Sequence, residues 1–452
     1  MISELKLKNV GPIKEAQVPI KDLTIICGRN GVGKTYLSYS YFMLVDSFRQ
    51  LLLKRVNMAD AVRDSIYEMA STREPSRKSF EVKFDDFGLS HESISEALAL
   101  AGENNEIFST LGIDNAPETI ISGEIDRETY ETLFNSKGRI SLKGSLDIEV
   151  SKEEQSDTIK IVLVKKHDDE LDFDSVYGDV EFITSIYVID YLAKLNQFPI
   201  TSERTGISLF FEDLLKARRN TEHGSVGFNA YSVPIENNLN NMRMITTRKH
   251  AYNNWIHENK KSLQSQVSQM LGGSYKVENN SVFFQPKGKD ILVPLRSSSG
   301  ASKSLMLMDY FMYNYDSYGA LIIDEPELNL HLDNQKEIAR VLCSIANMGI
   351  QVVVTTHSDH FVREINNLIM LSSSKIKEHH KQAIMKKADV HKLSIIKPEQ
   401  VSTVVLSSKQ RKSFVMPVSE YGIDLKLFND EIMANNDVSS ELMMAIYEGS
   451  DA

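Results

Sequence analysis

The most restrictive feature of the sequence is a glycine-rich loop that directly follows a short apolar run. The apolar run, LTIIC at positions 23–27, is rich in β-branched residues and predicts a buried strand. The residues after it match the pattern G-x-x-x-x-G-K-[ST] at every fixed position, and a helical pattern begins after them. The loop consists of Gly28, Arg29, Asn30, Gly31, Val32, Gly33, Lys34 and Thr35.

The residue types in this loop predict phosphate binding. Glycines let the backbone wrap closely enough for successive N–H groups to point at phosphate oxygens, and the following helix N-terminus adds a partial positive charge. Lys34 supplies a mobile cation for the β- and γ-phosphates, and the Thr35 hydroxyl is a hard oxygen ligand suited to Mg²⁺. A chance match in an ordinary glycine-rich turn is the alternative interpretation.

Composition limits the classes of protein that remain. At 452 residues the chain exceeds one ordinary core, so two or three lobes are expected. The formal net charge of −11 restricts any nucleic-acid surface to a local patch. No apolar run is long enough for a membrane span and residues 1–17 lack a signal-peptide pattern, so a cytoplasmic location without membrane contact is expected. Cys27 and Cys343 lie in apolar runs, which argues against a disulfide framework or a cysteine zinc site.

Hydrophobic periodicity and turn residues predict the other elements. Apolar runs predict further buried strands at residues 180–190, 319–324 and 349–355. The remaining expectations are two strands within 1–20, helices at 36–56 and 58–70, a strand at 79–87, helical structure at 91–116, a β-meander at 140–166, a polar turn at 198–206, a helix at 207–219, helices within 231–272 and strands within 275–295.

Two of the predicted strands end in residues that carry chemistry. ALIIDEPE ends in adjacent acids, of which Asp324 suits the Mg²⁺ water shell. Glu325 points in a different direction and suits proton transfer from an attacking water. The strand at 349–355 leads into Thr355, Thr356 and His357, and a histidine at this sheet edge can contact a γ-phosphate. An exposed turn and a satisfied surface histidine are the respective alternatives.

A small-residue loop, SSSGASKSL at positions 297–305, precedes an apolar helix. A Ser-Gly step at a helix N-terminus forms an anion site with free N–H groups and a hydroxyl donor. One chain has no use for two triphosphate cradles on one nucleotide, whereas two chains that face each other do. The loop therefore favours a site shared between two subunits.

The order glycine loop, Ser-Gly loop, DEP, TTH resembles that of the ABC-type ATPase head. It is most similar to the SMC-type and OLD-like branch, which includes AAA-family ATPases of bacterial anti-phage defence systems such as Septu and PARIS. GASKSL at 300–305 resembles GGEKSL of SMC heads, and EPELNLHLDNQ at 325–335 resembles the EPExHLHPxxQ block of OLD-like ATPases. The likeness covers residues 1–54 and about 180–369.

The resemblance implies a role for each matching residue. The loop from Gly28 to Thr35 binds the triphosphate of ATP, and Thr35 also helps to hold Mg²⁺. Asp324 is the Walker B acid that holds the metal, Glu325 is the catalytic base and His357 senses the γ-phosphate. Ser299 and Gly300 form the signature loop, which acts on the nucleotide of the opposite subunit.

The Gln-loop ligand to Mg²⁺ is assigned to Gln197, with Gln50 as the competing residue, and Arg204 either approaches phosphate or forms a structural salt bridge. The sequence also departs from the family pattern. Ala301 replaces the second signature glycine, Ser302 replaces the usual acid or glutamine, and His331 stands where many ABC proteins carry the D-loop aspartate. These departures predict slow hydrolysis.

The implied fold is α/β: an ABC-type P-loop ATPase head with a mixed central sheet, flanking helices and an antiparallel β lobe. The head is expected to be discontinuous, from 1–54 and 180–369, with a helical and β insertion at 55–179 and a small α/β docking or capping region at 370–452. Heptads are not sustained, which excludes a long SMC-type coiled coil, and no acid cluster of a Toprim nuclease follows His357. The basic stretch 375–392 is interpreted as a solvated helix face or as a contact for phosphate backbone or a partner.

The implied function is that of an ATPase whose heads form a homodimer, or a higher homo-oligomer, around ATP. The dimer controls a separately encoded effector, a nuclease or toxin, in anti-phage defence. One alternative is a DNA-repair or chromosome-associated head that acts directly on nucleic acid. Another is a slow, ATP-bound scaffold, and a transporter subunit fits least well.

Overall fold

The computed structural model describes residues 2–424, apart from 57–59, 114–115, 117, 128, 131–136, 154–155, 157, 167–170, 212–230, 248–257 and 315–317. Eighteen strands are named within these residues. They are β1 Glu4–Val10, β2 Ile13–Pro19, β3 Leu23–Cys27, β4 Ser76–Lys83, β5 Ile120–Glu124, β6 Gly138–Leu142, β7 Leu146–Lys152, β8 Thr158–Lys165, β9 Gln197–Ile200, β10 Gly273–Glu278, β11 Ser281–Pro286, β12 Val293–Pro294, β13 Ala320–Asp324, β14 Gln351–Thr356, β15 Val401–Leu406, β16 Ser413–Met416, β17 Val418–Ser419 and β18 Gly422–Ile423.

The α-helices flank these strands. They are α1 Lys34–Arg55, α2 Asp60–Ser71, α3 His91–Gly102, α4 Asn105–Leu111, α5 Phe173–Ile186, α6 Val233–Thr247, α7 Glu258–Leu271, α8 Gly300–Asn314, α9 Leu332–Asn347, α10 Asp359–Ser372 and α11 Glu378–Ala388. A π-helical stretch, Tyr187–Leu192, continues α5, and residues 204–211 are also helical.

The central sheet has six strands in the order β16-β15-β3-β14-β13-β9. The strands β15, β3, β14, β13 and β9 are mutually parallel, and β16 runs antiparallel to β15 at one edge. Because parallel strands end at the same edge of the sheet, the loops that follow β3, β13, β14 and β9 open on one side of it. The predicted α/β class, with a mixed central sheet and flanking helices, is confirmed.

Both faces of this sheet are buried, which explains why its strands are apolar throughout. Side chains on one face of the sheet, such as Ile26 and Val353, pack into a core that includes α1 and the β lobe. Side chains on the opposite face, such as Ile25 and Val354, pack into a second core formed with α8, α9 and α10. The sheet therefore holds the glycine loop between two rigid layers.

Antiparallel sheets form the β lobe. β1 pairs with both β2 and β5, in the order β2-β1-β5, and β4, β8, β7 and β6 form a four-stranded sheet. The expected antiparallel lobe is confirmed, as is the meander at 140–166. β5 lies within the expected insertion, 55–179, but pairs with the N-terminal strand. β15 pairs with β3, so the boundary expected at residue 369 falls inside the set of elements that build the central sheet.

The predicted strand at 180–190 is wrong, because these residues belong to α5 and the π-helical stretch. The buried side chains recur at helical spacing, at Val180, Ile183, Thr184, Tyr187 and Val188. β-branched composition suggested a strand, but burial with a period near 3.6 residues stabilises a helix. The chain therefore places a helical layer here, and the sheet obtains its edge strand from later residues.

The predicted polar turn at 198–206 is also wrong in its first part, because β9 is a strand that pairs with β13. Its Pro199 is compatible with this position, since proline is tolerated in edge strands. The helix expected at 207–219 begins earlier, at residue 204, and the expected residues 212–219 lie outside the described residues. Within the described part of the chain, no helix is both long and apolar enough to cross a lipid bilayer.

Candidate functional site

The glycine loop connects the C-terminal end of β3 to the N-terminus of α1, as predicted. Gly28, Gly31 and Gly33 have φ angles of 153°, 77° and 105°, a region that side chains rarely adopt. A Cβ atom at Gly33 would lie 2.8 Å from side-chain atoms of Pro12 and Ile13. Glycine at these positions therefore permits both the backbone path of the loop and its close approach to the β1–β2 turn.

Lys34 lies inside the loop. Its amino group donates hydrogen bonds of 3.0 Å to the carbonyl oxygens of Gly28 and Arg29, and only 7% of the residue is exposed. Its charge is thus held at the centre of the loop, beside the N-terminus of α1. This combination of a fixed ammonium group and free helical N–H groups suits a polyphosphate anion.

Asp324 is the last residue of β13 and is 2% exposed. Its Oδ1 accepts hydrogen bonds from the hydroxyls of Ser38 (2.8 Å) and Thr355 (3.1 Å), whereas its buried Oδ2 has no hydrogen-bond partner within the described part of the chain. Burial raises the pKa of this carboxyl to about 6. The Ser38 bond joins the acid to α1, one turn beyond Lys34, so the acid and the glycine loop form one site.

The acid and the loop together fit a bound Mg²⁺ ion. The unpartnered Oδ2 of Asp324 is a hard oxygen with free coordination capacity, and the Thr35 hydroxyl at the start of α1 is a second. Thr35 and Asp324 are therefore the residues that would hold the metal. A Mg²⁺ ion bound there neutralises charge on the phosphates of a nucleotide.

Glu325 follows the strand in a left-handed conformation, with φ of 48°. Its N–H group donates to the carbonyl oxygen (3.0 Å) and the hydroxyl (3.2 Å) of Thr355. A non-glycine residue in this conformation is strained, by about 1–3 kcal/mol, and persists only where its surroundings fix it. In this backbone conformation the carboxylate faces His357, whose Nδ1 lies 3.4 Å from Glu325 Oε1.

Arg204 fixes the carbonyl groups of the same turn. Its guanidinium donates to the carbonyl oxygens of Asp324 (2.7 Å) and Glu325 (2.6 Å), and its Nε donates to the Ser304 hydroxyl of α8 (2.9 Å). The residue is 1% exposed, and burial lowers its pKa to about 10, so it stays charged at neutral pH. Of the two roles expected for Arg204, these contacts favour the structural one, although its partners are backbone and hydroxyl groups.

The Ser-Gly loop caps α8. The Ser299 hydroxyl accepts a hydrogen bond from the N–H group of Ser302 (3.1 Å), and Gly300 is the first residue of the helix. Both residues are exposed. A Cβ at Gly300 would lie 3.3 Å from Cβ of Asn329, so the loop packs beside the segment that follows the acidic pair. His331, the expected D-loop position, caps α9.

Gln197 does not reach the site, which corrects its expected role as a metal ligand. In β9 it pairs with Ala320, the first residue of β13, whereas Asp324 is the last, so Gln197 lies near the opposite end of the sheet. Its side-chain amide donates to the carbonyl oxygen of Phe42 (2.9 Å). Gln50 is also distant from the site, because it lies in the fifth turn of α1 and its side-chain amide donates to Asp46.

Two residues of the site, Ser38 and Glu327, are not predicted from the sequence. Ser38 lies four residues after Lys34, on the same face of α1, but no pattern pairs it with Asp324. Glu327 is 5% exposed, and its Oε1 accepts hydrogen bonds from the Thr356 hydroxyl (2.7 Å) and the His357 N–H group (3.1 Å). Its place in the EPE triplet was the one signal in the sequence.

A comparison with known protein families identifies the family to which the chain is similar. The model of the family described as "AAA ATPase domain" matches residues 1–362 of the chain. No curated protein matches the chain.

Several solved structures of SMC heads are similar at low identity. An SMC head bound to the C-terminal winged-helix domain of ScpA has a TM-score of 0.35 at 13% identity, covering 92% of this chain and 96% of that chain. The head domain from Thermotoga maritima has a TM-score of 0.31 at 12% identity, covering 92% and 99%. A Pyrococcus furiosus head with an extended coiled coil, bound to the C-terminal domain of ScpA, has a TM-score of 0.33 at 12% identity, covering 97% and 99%.

Proposed function

The chain belongs to the AAA ATPase domain family, and we propose that it binds and hydrolyses ATP. The observation that carries the proposal is the link between the glycine loop and the acidic strand: Ser38 of α1 bonds to Asp324, whose Oδ2 has no partner among the described residues. Lys34 and the loop N–H groups bind the phosphates, and Thr35 and Asp324 hold Mg²⁺.

In the proposed reaction Glu325 accepts a proton from the attacking water. The water oxygen forms the new bond to the γ-phosphorus, the bond between this phosphorus and the bridging oxygen breaks, and ADP leaves with the electron pair. Glu325 suits the role because its side chain is about a quarter exposed and its backbone is fixed by Thr355 and Arg204. His357, next to it, contacts the γ-phosphate.

We extend the proposal to a head-to-head dimer that encloses ATP in the cytoplasm. Its support is the exposure of Ser299 and Gly300 at the N-terminus of α8, since a helix N-terminus is a favourable position for an anion, here from another subunit. ATP favours the closed dimer only by its higher affinity for that state. The resemblance to OLD-like ATPases adds control of a separately encoded effector, a nuclease or toxin, in anti-phage defence.

The ATPase proposal is tested with two substitutions and one matched control. Lys34→Ala is expected to abolish ATP binding and hydrolysis, and Glu325→Gln to lower kcat by roughly 100-fold or more while ATP stays bound. Lys54→Ala, at the other end of α1, serves as the control and should leave hydrolysis unchanged. Unchanged ATP hydrolysis in Lys34→Ala would refute the ATPase proposal.

The dimer and the effector need separate tests. Light scattering of Glu325→Gln with and without ATP should show a dimer only with ATP, whereas an assembly of constant size supports the scaffold alternative. A plaque assay with the cloned locus, in which Lys34→Ala is the negative control, tests the defence role. Equal plaque counts with the native and variant loci would refute the defence role.

A second candidate function, direct contact with nucleic acid, is favoured by the surface of α11. No residue of this helix is buried, and it carries Lys381, Lys386 and Lys387. Binding through such lysines to a phosphate backbone would weaken steeply with salt. Reversal of charge in the double variant Lys386→Glu, Lys387→Glu should flatten the salt dependence, and absence of DNA and RNA binding by the native chain excludes this candidate.

A further inference from the structure

Glu327 is a buried carboxylate to which the proposed reaction gives no role. It is 5% exposed, and its buried Oε2 has no hydrogen-bond partner among the residues that the structure describes. A carboxylate in this state carries a large desolvation cost, which its surroundings must offset. The hydrogen bonds of its other oxygen, Oε1, hold the side chain in place.

The Oε1 atom of Glu327 binds the segment that leads into His357. It accepts hydrogen bonds from the Thr356 hydroxyl at 2.7 Å and from the His357 N–H group at 3.1 Å. The Thr356 hydroxyl in turn accepts a bond from the Ser358 N–H group at 3.0 Å. A single carboxylate oxygen therefore fixes the backbone on both sides of His357, directly and through Thr356.

This contact lies next to the glycine loop. Thr356, at the end of β14, is in register with Cys27, the residue that precedes Gly28. Burial and the negative charge of Glu327 both raise the pKa of the Cys27 thiol, which agrees with a carboxylate close to the end of β3. Glu327 thus joins the turn after β13 to the end of β14, which pairs with the end of β3.

The imidazole of His357 lies between two carboxylates. Its Nδ1 is 3.4 Å from Glu325 Oε1 and 3.5 Å from Glu327 Oε1. With Nδ1 facing these acids, the opposite ring nitrogen, Nε2, is directed away from them. About half of the His357 side chain is exposed, so the ring is open to solvent on the side away from the two acids.

We propose that Glu327 is a positioning residue that holds the His357 segment in place, so that the imidazole faces the γ-phosphate in the reacting state. The inference rests on the proposed ATPase function and assigns to Glu327 a role in the chemical step rather than in nucleotide binding. Because its action is to accept hydrogen bonds, a neutral acceptor of the same shape should replace it in large part.

The test compares Glu327→Ala with Glu327→Gln in the full chain. Misplacement of His357 in Glu327→Ala should lower kcat by roughly 10- to 100-fold and leave KM for ATP unchanged. Glu327→Gln keeps an acceptor oxygen for both donors and should recover most of the lost kcat. In a His357→Ala background, Glu327→Ala should cause no further loss, because the two residues act as a unit.

Hydrogen–deuterium exchange without ATP gives a readout that does not depend on hydrolysis. The amides of residues 355–358 should exchange faster in Glu327→Ala than in the native chain, and Glu327→Gln should restore their protection. Thr356→Val, which removes one of the two donors, should shift exchange and kcat in the same direction by a smaller amount. It replaces Glu327→Ala as the test if that variant does not fold.

Glu364→Gln is the matched control for loss of a buried glutamate. Glu364 is also 5% exposed and accepts a hydrogen bond of 2.6 Å from Arg340, away from the His357 segment. This control should lower stability without a change in kcat. A kcat loss in Glu327→Ala that equals the loss in Glu364→Gln overturns the inference, as does unchanged exchange at 355–358 or full additivity with His357→Ala.

The two levels of the proposal fail in different ways. If Lys34→Ala keeps full hydrolysis, the ATPase function itself is lost. If Lys34→Ala is inactive while Glu327→Ala keeps the native kcat, the ATPase function stands and only the role of Glu327 is refuted.

Discussion

The hydroxyl of Ser38 donates a 2.8 Å hydrogen bond to Oδ1 of Asp324, which joins the helix after the glycine loop to the acid at the end of β13. The same hydroxyl lies 3.1 Å from the carbonyl oxygen of Thr35, so it contacts both proposed metal-binding residues. Ser38 therefore links the start of α1 directly to the acid through one side chain.

The buried charge of Asp324 should lower the stability of the fold at neutral pH. Burial raises its pKa from 3.8 to about 6, so the folded chain binds more protons than the unfolded chain between these values. The stabilising contribution of protonated Asp324 is present below pH 4 and is lost as the pH rises through about 6. We expect Asp324→Asn, which stays neutral, to be more stable than the native chain at pH 7.5 by about 3 kcal/mol.

Urea unfolding of both proteins across pH 4–8 measures this effect. The difference in unfolding free energy should shrink towards pH 4, where the native carboxyl is protonated as well. An Asn variant that is less stable than the native chain at pH 7.5 would contradict the proposed cost of the buried charge. The same variant should lose Mg²⁺-dependent ATP binding, which is the functional reason for a destabilising acid at this position.

Arg204 should contribute more to stability than an exposed arginine. Arg204→Met removes the donors that satisfy the carbonyl groups of Asp324 and Glu325, and we expect a loss of about 3–5 kcal/mol. Arg363 is half-exposed and pairs with Asp359 one turn away, so Arg363→Met should cost about 0.5 kcal/mol or less. Equal losses in the two variants, measured by chemical denaturation, would refute the structural role of Arg204.

Gln197 should affect stability but not turnover. Its amide bonds to the Phe42 carbonyl near the opposite end of the sheet from Asp324, so Gln197→Ala removes a buried hydrogen bond at a cost of about 1–3 kcal/mol. We expect kcat and the Mg²⁺ concentration at half-maximal rate to stay unchanged in this variant. A shift in the Mg²⁺ dependence would restore the metal-ligand role that its position argues against.

Gly28 should not tolerate a side chain. Its φ angle is 153°, and a Cβ there would lie 3.0 Å from the carbonyl oxygen of Leu406. We expect Gly28→Ala to cost about 1–3 kcal/mol from backbone strain and to weaken ATP binding. A Cβ at Gly178, within α5, would meet only open space, so Gly178→Ala should be neutral or stabilising by about 0.5–1 kcal/mol. Thermal unfolding and nucleotide titration of both variants check these expectations.

The parts of the fold that the sequence predicted are those in which local pattern and burial agree. The strands ending at Cys27, Asp324 and Thr356 are continuously apolar because both faces of a central sheet are covered, and each is followed by a distinctive polar motif. The glycine loop adds a backbone requirement that few other sequences satisfy. These local signals are sufficient to place the loop, the acids and His357 at one edge of the sheet.

The errors arose where the deciding contacts are distant in sequence. β9 contains Pro199 and has only four residues, so its strand character depends on pairing with β13. With β9 unrecognised, a buried strand is predicted at 180–190, and Gln197 falls after it as the Gln-loop residue. The links from Arg204 to the acidic turn and from Glu327 to His357 are likewise tertiary contacts, which no spacing in the chain encodes.

The position of β15 beside β3 has a consequence for how the protein is made. β3 carries the glycine loop and is synthesised early, yet both of its neighbours in the sheet, β14 and β15, come late in the chain. Until residue 406 has left the ribosome, β3 exposes at least one unpaired apolar edge, which is the kind of surface that aggregates or recruits chaperones. The nucleotide site thus cannot complete its folding before β15 is available, and the yield of active protein will depend on how long that edge is shielded.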